Sequence, residues 1–183
     1  MGDGIPSLNF EPGPDGSCPA NAPCWNDGCS ARRVLRLRPR PKASYAANLE
    51  FWRSDAKAFE ASLSGWIGWR APERFRYFAF GDIPDEAFLA AMVRIATRFS
   101  KTKFLVFTKR HDMVGRNTYP ENLRIRLSMW PRWGRIGDNG YARAWLQDGT
   151  ETRIPENAIE CSKKCVDCFA CWDSDRDVWF PKR

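Results

Sequence analysis

The sequence contains no long hydrophobic run. No segment of the 183 residues approaches the roughly 20 consecutive apolar residues that a membrane-spanning helix needs. The opening residues, MGDGIPSLNF, have neither the charged start nor the apolar centre of a secretory signal. Internal repeats and long low-complexity linkers are also missing. We therefore expect a cytoplasmic protein with no membrane partner.

Histidine is scarce, and the number of cysteines is odd. His111 is the only histidine, and its position beside Lys109 and Arg110 favours a surface or hydrogen-bonding role over metal binding. Seven cysteines cannot all pair with one another, and a reducing cytoplasm keeps thiols free. Metal binding is therefore the leading explanation for the cysteines.

Apolar and aromatic residues are plentiful enough for a buried core. Hydrophobic residues make up 43% of the chain and aromatic residues 14%, which excludes an intrinsically disordered protein. The length suits one domain with appendages. We predict a core domain over residues 1–155 that includes an N-terminal cysteine loop, and a cysteine-rich metal- or cluster-binding extension over residues 156–183.

Positive charge is in excess, with a formal net charge of +7. The densest basic stretch is ARRVLRLRPRPK, residues 31–42. The alternation in VLRLR predicts a strand with one basic, solvated face. The alternative is that these arginines bind a polyanion or a phosphate-bearing ligand, since Lys and Arg neutralise phosphates.

Helical and strand-like patterns alternate along the middle of the chain. A short candidate strand, IPSLNF, precedes residues 11–28, whose Pro, Gly, Asn and Asp content predicts a long irregular loop. Apolar residues at helical intervals predict helices over residues 44–67, with a break near Ser54 and Asp55, and over residues 84–99. Strands are predicted over residues 75–80, 103–109 and 123–130.

The strand–helix–strand order predicts parallel strands, because the connection between them is a crossover. The fold class that follows is α/β: a small or partial (β/α) barrel with parallel strands, an N-terminal cysteine loop and a C-terminal cysteine-rich cluster-binding tail. In such folds ligands bind at the carboxyl ends of the strands. The residues predicted at those ends are Gly81, Asp82, Thr108, Lys109 and Ser128.

The first cysteine group lies on the predicted N-terminal loop. It comprises Cys18, Cys24 and Cys29, which are separated by five and four residues. Three thiolates on a four-iron cluster leave one iron open to an outside ligand, whereas a structural zinc site is normally closed by four ligands. The alternative is a zinc ion whose fourth ligand is His111 or a remote cysteine.

The second cysteine group lies near the C-terminus, within ECSKKCVDCFACW. It comprises Cys161, Cys165, Cys168 and Cys171. CVDC and CFAC share Cys168, so they cannot form two independent zinc knuckles. Closely spaced cysteines of this kind are typical of iron–sulfur proteins. We predict a four-iron, four-sulfur cluster here, with zinc as the alternative.

The motifs and their order resemble the phage and bacterial gene product 88 proteins. The likeness runs over most of the chain, through CPANAPC, SYAANLEF, FRYFAFGD with the helix after it, KFLVFTK and the C-terminal cysteine run. More loosely, the sequence resembles a minimal radical S-adenosylmethionine (SAM) enzyme. That superfamily uses a partial (β/α) barrel, a three-cysteine loop after the first strand, and a Gly-rich acidic motif at the end of the second.

The radical SAM resemblance implies a role for each predicted site residue. Cys18, Cys24 and Cys29 would bind one four-iron, four-sulfur cluster whose open iron takes SAM, and the C-terminal group would hold a second, auxiliary cluster. Gly81 and Asp82 would meet the methionine amino group of SAM. Further polar contacts, including one to the SAM carboxylate or to an anionic substrate, would come from Thr108, Lys109 and Ser128.

The pattern departs from that superfamily in two places. The usual spacing of its three cysteines, three then two residues, is absent from the N-terminal loop and is matched by Cys161, Cys165 and Cys168, so the two groups could exchange roles. Gly81 and Asp82 stand where a Gly-Gly-Glu motif is usual, and they otherwise indicate a turn glycine and a helix-capping aspartate.

The expected partners are SAM, an external electron donor and an unidentified substrate. The positive charge favours an anionic substrate, such as a nucleotide, a nucleic acid or an acidic peptide. Two rival functions stay open. One is a zinc-stabilised basic module of phage type that binds single-stranded nucleic acid by phosphate contacts and stacking. The other is an electron-transfer protein with two closed clusters.

Overall fold

Parallel strands form one open sheet. In the computed structural model, which describes residues 4–37, 39–115, 118–134, 140–161 and 164–182, seven strands pair side by side. They are β1 (Ser7–Leu8), β2 (Arg74–Tyr77), β3 (Lys103–Thr108), β4 (Leu123–Met129), β5 (Arg143–Gln147), β6 (Ile159–Glu160) and β7 (Val178–Pro181). Their order across the sheet is β1-β2-β3-β4-β5-β7-β6, with every neighbouring pair parallel. The predicted α/β class and parallel sheet are confirmed; the sheet as described does not close.

Helices fill most of the connections between the strands. The described α-helices are α1 (Ser30–Leu37), α2 (Pro39–Ser54), α3 (Ala56–Arg70), α4 (Glu86–Arg98), α5 (His111–Val114), α6 (Cys165–Cys168) and α7 (Ala170–Asp173). α1 to α3 follow β1, α4 joins β2 to β3, and α6 and α7 lie between β6 and β7. None of these helices is long and apolar enough to cross a bilayer.

The basic segment is helical, so the predicted strand over VLRLR is wrong. Its described residues form α1 and the start of α2, and Arg38 lies outside the described residues. Ala31 and Leu35, four residues apart, are buried on one face of α1, while Arg32, Arg33 and Arg36 are exposed. Five alternating residues are too short a window to separate a period of 2 from a period of 3.6. The burial of two residues that lie four positions apart is the pattern of an amphipathic helix.

Side-chain caps fix the two predicted helix starts. Asp55 separates α2 from α3 and accepts a hydrogen bond from the Ala58 amide at 2.9 Å. Asp85 precedes α4 and accepts one from the Phe88 amide at 2.8 Å. Each cap satisfies an amide that the first helical turn leaves without a partner, and contributes about 1 kcal/mol. The predicted break near Ser54 and Asp55 is confirmed.

The two faces of the sheet carry different kinds of side chain. On the outer face, which packs against α2, α3 and α4, the strands contribute aromatic and aliphatic residues such as Phe75, Tyr77 and Phe104 to the main core. Side chains alternate along a strand, so the residues between them lie on the inner face. That face carries Arg74, Arg76, Lys103, Arg124 and Arg126. The arginine and lysine side chains on this face need hydrogen-bond acceptors from the segment that packs against it.

The C-terminal segment packs against the inner face and supplies these acceptors. Residues 156–161 and 164–182 contribute β6 and β7 to the same sheet, and α7 packs against β3. Asp173 of α7 forms ion pairs with Lys103 at 2.6 Å and Arg74 at 3.3 Å. The cysteine-rich region is therefore a continuation of the main fold that lies against its arginine-bearing face.

Candidate metal centres

The N-terminal cysteine loop is anchored at the carboxyl edge of the sheet. Gly81 follows β2 with φ +87°, a conformation that favours glycine. A Cβ there would lie 2.6 Å from Ser17 Oγ and 2.8 Å from the Phe10 carbonyl oxygen. Ser17 Oγ also accepts a hydrogen bond from the Asp82 amide at 3.0 Å. Close packing at Gly81 therefore holds the residue before Cys18 against the end of β2.

Cys24 and Cys29 form a hydrogen-bonded pair beside α1. The Cys24 thiol donates to Cys29, and this bond is the main reason why the pKa of Cys29 falls to about 6. Backbone hydrogen bonds from Arg32 and Ala31, at the start of α1, lower the pKa of Cys29 further, against the opposing effect of burial. Thiolates are stabilised in this way at helix N-termini. The same hydrogen bond, with burial second, raises the pKa of Cys24 well above its usual range.

Cys18 and Lys109 complete the surroundings of this pair. Burial raises the pKa of Cys18 to about 11, partly offset by a backbone hydrogen bond with Gly13. Burial disfavours the charged form of Lys109, but the negative charges of Cys24, Asp82, Cys18 and Cys29 together raise the pKa of this lysine. The ammonium of Lys109 is therefore the cation to which all three N-terminal cysteines are electrostatically coupled.

The predicted SAM contacts Asp82 and Thr108 bind each other. Asp82 is 1% exposed, and its Oδ1 accepts hydrogen bonds from Thr108 Oγ1 at 2.5 Å and from the Ile83 amide at 2.8 Å. Its Oδ2 accepts from the Lys109 amide at 2.8 Å. Burial still raises the pKa of Asp82. Both carboxylate oxygens thus join the ends of β2 and β3, and Asp85, not Asp82, caps α4.

A cleft opens beside these strand ends. This strand-end cleft has a volume of about 680 Å³. Its lining comprises Pro19, Ala20 and Asn21 from the cysteine loop, Lys109, Arg110, His111 and Asp112 after β3, and Arg132, Trp133 and Gly134 after β4. The rings of His111 and Trp133 lie 5.1 Å apart, and His111 Nε2 donates to the Ser128 carbonyl at 3.0 Å. Burial lowers the pKa of His111, which favours a neutral imidazole.

Sequence patterns did not predict the pairing of His111 with Trp133. The single histidine was assigned a surface or hydrogen-bonding role, and the bond to Ser128 agrees with that role. The predicted strand-end residue Ser128 takes part through its backbone, not its hydroxyl. The useful signal was the position of His111 and Trp133 directly after two neighbouring strands, because such residues meet at one edge of a parallel sheet.

The four C-terminal cysteines line one small cavity. Cys161 follows β6, Cys165 and Cys168 are the first and last residues of α6, and Cys171 is in α7. All four belong to the wall of a cavity of about 20 Å³, roughly the space of one water molecule. Burial raises the pKa of Cys171 to about 11, and the charges of Cys161 and Cys165 raise it further while Arg126 opposes them.

A buried arginine supports this cavity from the sheet. Arg126 is 1% exposed, yet among the described residues its guanidinium bonds only carbonyl oxygens: Cys171 at 2.9 Å, Arg176 at 2.7 Å, Ala170 at 3.2 Å and Ser174 at 2.5 Å. Burial lowers the pKa of Arg126, and the charge of Cys171 is the strongest effect that raises it. Buried charges are normally paired with an opposite charge. An anionic group at Cys171 would provide that pairing.

Comparison with known proteins decides the family. A family model described as Gene product 88 matches residues 4–174, nearly the whole chain. The chain belongs to the Gene product 88 family. No curated protein and no solved structure matches it significantly. The predicted resemblance to that family is confirmed, whereas the looser resemblance to radical SAM enzymes finds no support in these comparisons and stays a prediction.

The donor atoms of this Gene product 88 protein suit soft metals. All seven cysteines are described, and none is in a disulfide. Thiolate ligands select zinc and iron–sulfur clusters. Among the described residues, however, no three His, Cys, Asp or Glu side chains are gathered closely enough to enclose a metal ion as they stand. The thiols therefore suit a soft metal by their chemistry and by their positions near one another. To bind it, their side chains must rotate toward a common centre.

Proposed function

We propose that this Gene product 88 protein is an iron–sulfur enzyme of the radical SAM type. In this proposal Cys18, Cys24 and Cys29 hold one four-iron, four-sulfur cluster and the C-terminal thiols hold a second. The observation that carries it is the position of the cysteine loop at the carboxyl edge of a parallel sheet, where loop residues and Lys109 line the open strand-end cleft together. The order β1 to β5 across the sheet supports a partial (β/α) barrel.

The side chains around the cleft have defined roles in this proposal. When bound, the cluster supplies an electron that cleaves SAM to methionine and a 5′-deoxyadenosyl radical. Lys109 binds the carboxylate of SAM or of an anionic substrate, because it lines the cleft and carries a positive charge. The rings of His111 and Trp133 form a surface on which a purine can stack.

Two of the residues that were predicted to contact SAM have a structural role in this proposal. Asp82 and Thr108 already bind each other, so we assign them to holding the cysteine loop and β3 in register and not to direct contact with SAM. Gly81 has the same role through its close contact with Ser17. The C-terminal thiols would hold the second cluster, which would supply electron relay or a point of attachment for the substrate.

A zinc-stabilised binding module is the second candidate. The cavity shared by the C-terminal thiols is small, so a single ion enters with less rearrangement than a four-iron cluster. The exposed arginines of α1 and Trp25, which line another cleft near Cys29, would then contact the phosphates and bases of single-stranded nucleic acid. This candidate predicts strong salt dependence and no iron.

Metal analysis after anaerobic purification separates the two candidates. The enzyme proposal predicts iron and acid-labile sulfide at close to eight atoms each, a brown colour, and 5′-deoxyadenosine after addition of SAM and dithionite. Cys29→Ala should abolish 5′-deoxyadenosine formation and halve the iron, while Cys168→Ala should leave the N-terminal cluster visible by electron paramagnetic resonance. A colourless protein with stoichiometric zinc would overturn the proposal, and intact clusters without SAM cleavage would reduce it to electron transfer.

A further inference from the structure

One wall of the strand-end cleft is a short turn that follows β4. This aromatic turn, residues 130–134, contributes Arg132, Trp133 and Gly134 to the cleft. The Trp133 amide donates to the Trp130 carbonyl at 2.8 Å, and the Trp130 amide donates to the Trp133 carbonyl at 3.4 Å. Arg132 has φ +63°, which is uncommon for a residue other than glycine. Such a conformation persists when the surrounding structure holds it.

Arg153 bonds the backbone of the aromatic turn. Its Nη2 donates to the Trp130 carbonyl at 2.9 Å and to the Trp133 carbonyl at 3.3 Å. Its Nη1 donates to the Gly134 carbonyl at 3.3 Å. One side chain therefore contacts both ends of the turn. Arg153 is not among the described residues that line the cleft, so its influence on a ligand there has to pass through the turn.

Glu151 fixes the direction of the Arg153 guanidinium. The Glu151 side chain is 2% exposed, and its two carboxylate oxygens accept from Arg153 Nε at 2.7 Å and from Nη2 at 2.5 Å. The Arg153 amide also donates to Glu151 Oε1 at 2.9 Å. The central guanidinium carbon lies 5.4 Å from the ring centre of Trp145 in β5. A planar guanidinium held by a bidentate carboxylate and an aromatic ring has few orientations left.

The aromatic turn contacts two other parts of the cleft. The Trp133 ring lies 5.1 Å from the ring of His111, and a Cβ on Gly134 would lie 3.2 Å from His111 Cε1. Trp130 Nε1 donates to Asp27 of the cysteine loop at 3.3 Å. The position of the turn therefore determines how the Trp133 ring faces the cleft.

We propose that Arg153 positions the Trp133 ring for stacking on the purine of SAM. This inference rests on the proposed function, since it takes SAM as the ligand of the strand-end cleft. The three carbonyl contacts hold the turn in one geometry before the ligand arrives. A ring that is already in place loses less conformational entropy on stacking than a mobile ring does. Arg153 is a positioning residue, because it acts through Trp133.

Arg153→Lys separates the carbonyl contacts from the charge. Lysine keeps a positive charge beside Glu151, but its ammonium lacks the rigid fork that bonds three carbonyls and a carboxylate at once. We expect this variant to bind SAM about fivefold more weakly. Equilibrium dialysis of the full-length protein, purified anaerobically with its own metal and kept without reductant, measures the affinity independently of turnover. A variant that binds SAM as tightly as the wild type overturns the inference.

Arg176 is the matched control. Two nitrogens of its guanidinium also donate to a backbone carbonyl, that of Asn157, and Arg176 is not among the described residues of the strand-end cleft. Arg176→Lys should change the affinity for SAM less than about twofold. If both lysine variants weaken SAM binding equally, the loss is a general effect on the fold and the assignment to Arg153 is wrong.

A double-mutant cycle shows whether Arg153 acts through Trp133. Trp133→Leu should weaken SAM binding about tenfold, because it removes the stacking surface. In that background Arg153→Lys should have no further effect, since the ring that it positions is gone. Trp130→Phe removes the bond to Asp27 and should change the affinity less than about twofold. Additive losses in the double mutant, or a fivefold loss in Trp130→Phe, would contradict the inference.

Hydrogen–deuterium exchange tests the same contacts without a ligand. The Trp133 amide is bonded to the Trp130 carbonyl, so its exchange rate reports the order of the aromatic turn. Arg153→Lys should raise this rate at least about fivefold, whereas Arg176→Lys should leave it unchanged. If the wild-type protein does not bind SAM, the proposed function is wrong, and the exchange rate alone decides whether Arg153 positions the turn. An unchanged rate in Arg153→Lys overturns the inference in either case.

Discussion

At the scale of single residues, Arg126 has the most unusual position. Four carbonyl oxygens from residues 170–176 surround its guanidinium, so the arginine holds α7 and the turn after it onto the sheet. Its sequence context, LRIRLS, places Arg124 and Arg126 on the same face of β4. The two differ in burial, because the side chain of Arg124 is 38% exposed and pairs with Asp175.

Arg126→Gln should therefore destabilise the protein, while Arg124→Gln serves as the control. We expect a loss of about 3 kcal/mol or more in the free energy of unfolding for Arg126→Gln, since several buried carbonyls lose a charged donor. Arg124→Gln should cost about 1 kcal/mol or less, as for other exposed ion pairs. Urea unfolding measures both. Metal content should fall in the Arg126 variant alone, and equal losses would show that burial is not the cause.

Gly81 combines a positive φ with neighbouring atoms that leave no room for a Cβ. Gly81→Ala adds a Cβ within 2.6 Å of Ser17 Oγ at a positive φ. Gly149→Ala is the matched control, because Gly149 has φ +96° but nothing within 4 Å of the added Cβ. Both variants lose about 1 kcal/mol through φ, and Gly81→Ala should lose at least 1 to 2 kcal/mol more through the clash. Thermal unfolding compares them, and equal shifts in Tm would contradict a role for the contact.

At the scale of elements, the Cys24 thiol of the loop and the N-terminus of α1 together set the chemistry of Cys29. The thiol of Cys24 donates to Cys29 and is the main reason why the pKa of Cys29 falls to about 6; the amides of Arg32 and Ala31 lower it further, against the effect of burial. Cys18 lies on the loop before this helix and has a pKa raised to about 11 by burial. Two cysteines of one group therefore differ in thiolate content at neutral pH.

Alkylation of the metal-free, reduced protein should reveal this difference. A thiol with a pKa lowered to about 6 is mostly thiolate above that pH, so Cys29 should react with iodoacetamide at pH 7 and lose reactivity as the pH falls through 6. Cys18 should react slowly at pH 7, because its pKa of about 11 leaves it protonated. Peptide mass spectrometry gives both rates, and circular dichroism checks that the fold persists. Similar rates for the two cysteines would contradict the predicted difference between their pKa values.

The elements also differ in how well the sequence predicts them. The strands and helix from residue 74 to residue 129 were predicted because long, strongly periodic segments form them. The basic segment was assigned to a strand because five alternating residues fit both periods. The strands β5, β6 and β7 were not predicted, since β6 has two residues and β7 four, and their pairing depends on distant partners. Of the candidate site, the thiols were evident from spacing, but the strand-end cleft depends on residues that only the folded sheet brings together.

At the scale of the whole molecule, the C-terminal thiols lie in a part of the sheet that is built from short elements. β6 pairs with β7 alone, and α6 and α7 have four residues each, too few to be stable by themselves. The strands β2, β3 and β4 instead share the aromatic core with α4. A metal bound by the four thiols would therefore supply much of the local stability of residues 159–181.

Hydrogen–deuterium exchange after metal removal tests this division of stability. Chelation should raise amide exchange at least about tenfold in residues 159–181, because local opening there loses more than 1.4 kcal/mol of opposing free energy. Residues 74–77 and 103–108 should keep their protection, since the core that buries them contains no cysteine. Cys168→Ser should reproduce the local effect without a chelator. A uniform rise over the whole sheet would mean that the metal stabilises the fold globally, and an unchanged C-terminal segment would mean that these thiols carry no structural metal.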